Sequence, residues 1–161
     1  MSNATTDLWP EDLVVNVQTP AMILNEQAEA LGKRTQRIVR SDVSDTYQGT
    51  LRSIDFELVA PIIGFRARLL QVRHQQDRPY PCVVIAGALW EEDEPEADEW
   101  ATDWKLTLEE YYQAREAESP DELRKLLRVV FNAPDTKSLL FSLVARSNEV
   151  ATKAPVQTTE S

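Results

Sequence analysis

Leu51–Gly87, LRSIDFELVAPIIGFRARLLQVRHQQDRPYPCVVIAG, is the one stretch of this 161-residue chain with sustained sheet character, and it decides the fold class. Ile54, Phe56, Leu58 and Ala60 fall on one face of an extended chain while Ser53, Asp55 and Glu57 fall on the other, the period-two pattern of a half-buried strand. Pro61 and Gly64 then punctuate the run. A hairpin with Ala60 and Phe65 paired across the turn puts Glu57 opposite Arg68 on the polar face and Phe56 opposite Leu69 on the apolar face. Past Leu69 the apolar positions shift to Leu70 and Val72, which calls for a bulge or a change of covered face. The third run, Tyr80 to Ala86, is apolar almost throughout, as a central strand is, with Pro81 marking an end or an edge.

Upstream, Leu13 to Val17 has the composition of a short extra strand, and Trp9-Pro10 offers an anchor onto the domain. Thr19-Pro20 is a helix start, since the threonine oxygen can accept from free amides and proline loses nothing at the first helical position. Ile23, Leu24, Gln27, Ala28, Leu31, Thr35 and Ile38 recur at helical spacing, predicting a helix of roughly five turns. Ser41 to Thr50 reads as a polar linker.

Downstream, Thr107 and Glu110 form a capping-box pattern that suggests a short helix to about Ala117, while alternation of Trp104, Leu106 and Leu108 supports a fourth, edge strand; both readings stand. Ser119 and Glu122 make a second capping box, followed by Leu123, Leu126, Leu127, Val130 and Phe131 at helical spacing. Asn132 is a candidate left-handed stop, and Pro134 opens another helix carrying Leu139, Leu140, Leu143 and Val144. The expected architecture is one α+β domain over residues 1–147: an antiparallel sheet of three or four strands, a long N-terminal helix and a C-terminal helix pair. An acidic loop, 90–104, is inserted after the third strand, and residues 148–161 form a disordered tail.

Charge is concentrated in that loop. Residues 1 to 90 carry nine Lys and Arg against ten Asp and Glu, residues 91 to 118 two against twelve, and residues 119 to 161 six against five, so one segment holds the whole net charge of −10. Its core is Glu91, Glu92, Asp93, Glu94, Glu96, Asp98 and Glu99, flanked by Trp90 and Trp100. Such a run can be an idle solvated loop or a docking surface for a basic protein, because clustered charge accelerates encounter and Trp is enriched at binding hot spots. The net charge argues against a nucleic-acid binder, since phosphate contacts supply most of that affinity.

Chemistry-bearing residues are sparse. His74 and Cys82 are the lone histidine and the lone cysteine, so a structural zinc set lacks ligands and no intramolecular disulfide can form. Cys82 sits in an apolar run and reads as a buried core residue in a reducing, cytoplasmic protein. The acidic run has no glycine for a calcium loop, only four glycines occur in the chain, and neither a phosphate-binding loop nor a nucleophile elbow is present. No metal, cofactor or catalytic group is expected, no apolar run suits a membrane helix, and the opening MSNATTDLWPEDL lacks the features of a secretory signal. The leading expectation is a non-catalytic cytoplasmic interaction domain, of inhibitor, immunity or assembly type, docking a basic partner through residues 90–100. The alternative is a small anionic-ligand-binding domain or enzyme using Arg66, Arg73, His74 and Arg78 around the 73–81 loop.

Overall fold

The computed structural model describes residues 6–13, 17–87, 104–107, 109–110 and 113–153. Helix α1 (Pro20–Arg34) leads into a five-stranded antiparallel meander, β1 (Arg40–Gln48), β2 (Leu51–Ala60), β3 (Phe65–Gln75), β4 (Arg78–Ile85) and β5 (Ala114–Ala117), in spatial order 1-2-3-4-5. Helices α2 (Pro120–Asn132) and α3 (Pro134–Lys153) close the described chain. The α+β class with an antiparallel sheet is therefore as expected, with more strands than the three or four read from the sequence.

The β2–β3 hairpin has Ala60 opposite Phe65 and Glu57 opposite Arg68, as the alternation demanded. Phe56, however, faces Leu70 rather than Leu69, because the register slips between Phe56 and Glu57 and leaves Leu69 as the extra residue of a bulge. That slip lets both halves of β3 keep apolar side chains on the helix-covered face, Phe65 before it and Leu70 and Val72 after it. A short 3-10 turn, Pro61–Ile63, joins the strands and ends at Gly64, whose φ of 66° is costly for a residue with a Cβ.

Three segments depart from the sequence reading. Ser41 to Thr50 is no linker, since β1 pairs along its whole length with β2. It lies at the sheet edge, where polar side chains are tolerated and discourage stray pairing. Helix α1 stops at Arg34, short of Ile38, because Gln36 and Arg37 adopt φ of 53° and 68° while the Thr35 hydroxyl bonds the Leu31 and Val39 carbonyls. Of the short helix expected from Thr107 to about Ala117, Glu109 and Glu110 are helical behind their capping box, but Ala114–Ala117 form β5, which pairs with Cys82 to Ile85 and leaves Pro81 at an edge.

Ser119 caps α2 through its hydroxyl as expected, but Asn132 stays helical and the chain leaves through Ala133 at φ −61°, ψ 144°. Helix α3 continues to Lys153, into the stretch read as tail. Trp9 is 75% exposed and anchors nothing, and Val14 to Asn16 of the extra strand expected at 13–17 lie outside the described residues.

One face of the sheet is dry. Ile54, Phe56, Leu58, Leu70, Val72, Cys82 and Val84 meet Ile23 and Leu24 of α1 and Leu123, Leu127 and Val130 of α2, with Phe56 and Phe131 rings 5.5 Å apart. Helix α3 packs at the turn end, where Leu143 joins Val39 and Ala60. Among the described residues no helix is long and apolar enough to cross a membrane.

Candidate functional site

The open face of the sheet is built from the other half of each alternation. Near β1 it is a ladder of opposite charges: Arg66 bonds Asp42 at 2.7 Å and Glu57 at 3.0 Å, and Arg68 approaches Asp55 at 3.5 Å. The Asp42 and Glu57 carboxylates raise the Arg66 pKa, the Asp42 hydrogen bond most. Toward β4 the face turns apolar, and Leu51, Val83, Ile85 and Ala114 gather under Trp104, which is 5% exposed.

Arg73 joins the two halves. Its Nε donates to Gln71 Oε1 at 2.7 Å, one Nη donates to the Trp104 and Lys105 carbonyls at 3.2 Å, and the other meets Glu110 Oε2 at 2.6 Å. Gln71 passes the chain on to Asp55 at 2.7 Å. Glu110 also closes the capping box, accepting from the Thr107 amide at 3.0 Å while its own amide donates to Thr107 Oγ1 at 3.1 Å. Burial works against the charge on Glu110, but the Thr107 amide and the Arg73 guanidinium outweigh it and hold the carboxyl below its usual range. Lys105 is held at φ 53°, a conformation that disfavours a residue with a Cβ, between these bonds and a side chain reaching toward Gly49.

This cluster is the base of the acidic insertion. The segment departs after Ile85, where the Ala86 amide donates to the Gln113 carbonyl at 3.0 Å, and returns at Trp104 under the Arg73 clamp. Trp90, Glu91, Glu92, Asp93, Glu94, Glu96, Asp98, Glu99 and Trp100, the expected partner-binding residues, lie outside the described residues.

The alternative ligand set, Arg66, Arg73, His74 and Arg78, is not assembled into one site. Arg66 and Arg73 share the open face, but each is committed to protein partners, and an anion would have to displace them. His74 points to the covered face, 4% exposed, with Nδ1 2.7 Å from the Gln75 carbonyl. A carbonyl can only accept, so Nδ1 carries the proton, and Nε2 is buried with no partner among the described residues. Arg78 is 69% exposed at the β3–β4 turn, 3.9 Å from Asp77. His74 and Cys82 are indeed cross-strand partners, but burial pushes the Cys82 thiol up to about 12, with the Glu116 and Glu122 charges adding to it. A thiol so protonated is a poor nucleophile.

Sequence reasoning missed a second feature, on the helix side. A groove of about 920 Å³ runs between α1, α2 and α3, with Phe56, Leu58, Leu69 and Phe131 at its floor and Arg34, Arg124, Arg128 and Lys137 around it; none of its lining residues is acidic. The signal was present as basic residues on the outer faces of three separate helices, but only their packing order brings them together.

No group of three or more His, Cys, Asp or Glu side chains suited to a metal occurs among the described residues. No protein-family model matches the chain, and no curated protein or solved structure shows significant similarity to it.

Proposed function

We propose that this chain is a non-catalytic interaction domain that presents its acidic segment, residues 91–99, to a basic surface of a partner protein in the cytoplasm, as an inhibitor, immunity-type neutraliser or assembly factor does. The observation that carries this reading is the base of the insertion. A buried tryptophan and a guanidinium with four hydrogen-bonded partners pin the return of a segment that holds seven acids. A solubilising loop needs no such footing. A docking element gains from it, because a fixed base reduces the ordering cost of binding.

Affinity capture from native lysate tests it, with the full chain and a chain lacking residues 91–99 as baits at low and physiological salt. A partner retained by the full chain, released by salt and absent from the deletion bait supports the reading. One that binds both baits with the same salt dependence overturns it, since exposed charges further apart than about 10 Å are screened at 0.1 M.

A further inference from the structure

The groove between the three helices and the N-terminal arm are complementary. Arg34, Arg128 and Lys137 are exposed at the groove and make no ion pair among the described residues; Arg124 reaches only Glu26, at 3.8 Å. Phe141, at the same groove, is 75% exposed. The groove thus offers apolar surface and positive charge, and a ligand that is both apolar and acidic would use the two together.

The arm has that chemistry. Leu8, Trp9 and Leu13 are 88%, 75% and 65% exposed, and Asp7, Glu11 and Asp12 are interleaved with them. Asp7 Oδ1 accepts from the Trp9 amide at 2.9 Å and the Leu13 amide donates to the Pro10 carbonyl at 3.2 Å. These bonds close a compact turn that carries both Trp9 and Leu13. Three large apolar side chains left bare on one short arm are a burial waiting for a surface.

We propose that the groove receives the N-terminal arm of a second copy of this chain, with the exchange made reciprocally about a twofold axis. Trp9 and Leu13 enter over Phe131 and Phe141, and Glu11 and Asp12 meet Arg128 and Lys137. The arm's root lies beside the groove's mouth: Gln18 donates to Glu26 at 3.3 Å, and Glu26 is the partner of Arg124. Two chains placed groove to groove therefore bring each arm to the other's binding surface, the arrangement of an arm-swapped dimer.

A charge-reversal pair tests this. The full chain is expected to sediment as a monomer–dimer equilibrium that weakens with salt, and removal of residues 1–13 to raise its dissociation constant by about tenfold or more. The arm variant Glu11→Arg/Asp12→Arg and the groove variant Arg128→Glu/Lys137→Glu are each expected to be monomeric, and their equimolar mixture dimeric, because only the mixed pair restores both contacts. All four positions are exposed, and circular dichroism melts confirm folding. A full chain monomeric at every concentration, a dimer that survives loss of residues 1–13, or a monomeric mixture of two folded variants overturns the proposal. Loss of the dimer on deleting residues 91–99 also overturns it, by making the acidic insertion the occupant. The lysate capture is decided separately, because its bait lacks a different segment.

Discussion

The two faces of the sheet are made from the same strands, and one alternation serves two purposes. On the covered face, Phe56 and Val72 are 1% and 0% exposed and belong to a core cluster that includes side chains of α1 and α2. On the open face, Glu57 and Arg66, from the same hairpin, hold each other across solvent with side chains 27% and 48% exposed. Burial energy scales with apolar area removed from water, whereas exposed ion pairs nearly cancel against hydration and side-chain entropy. The covered face therefore carries stability, and the open face is free to carry the footing of the acidic insertion. The exception among the described residues is the region of Arg73 and Trp104, where Gln71, Leu51, Val83, Ile85 and Ala114 of the open face are also buried.

The largest effect should come from Phe56→Ala. It empties a site packed against Phe131 and is expected to cost about 3–5 kcal/mol of unfolding free energy in denaturant titration. An effect below that of an open-face substitution would break the contrast.

Arg73→Ala comes next, at about 2–3 kcal/mol, because it leaves Glu110 and two carbonyls without their donor. It should also open the chain near Trp104 to limited proteolysis, whereas Phe56→Ala loosens the whole domain.

Glu110→Gln keeps the capping box and removes the charge. Because the folded state lowers this carboxyl from its ordinary value of 4.5, its contribution is present above that pH and is lost as pH falls through the lower folded value. The variant should be less stable than the parent at neutral pH and converge with it in acid; a constant gap across the range would detach Glu110 from Arg73. The smallest effect is expected of Arg66→Ala, whose denaturation midpoint should be indistinguishable from the parent despite the loss of two ion pairs.

What could be read from the sequence follows the same division. The hairpin register was legible to Glu57–Arg68 because one face had to be apolar, and the bulge was legible as a change of phase, displaced by one residue. β1 was hidden because, at an edge and exposed over most of its length, RSDVSDTYQ needs no apolar alternation. β5 is only four residues long and follows a genuine capping signal that pointed to helix. The end of α1 is set by two left-handed residues, Gln36 and Arg37, in place of the glycine that would have announced it. Arg73 was picked out for its charge, but its role depends on Trp104 and Glu110 returning across the sheet from 31 and 37 residues away, a contact that no local pattern encodes.

The central claim is that the fold presents the acidic insertion without depending on it. The direct measurement is the denaturant midpoint of a chain lacking residues 91–99, taken beside the full chain at low ionic strength. Residues 88–90 and 100–103 remain to join Gly87 to Trp104 and can span roughly 25 Å when extended. The account predicts an unchanged slope and a midpoint equal to the parent or slightly higher, since removing seven like charges relieves repulsion. A midpoint lowered as far as that of Arg73→Ala, or a chain that fails to fold, would contradict it and make the acids part of the structure.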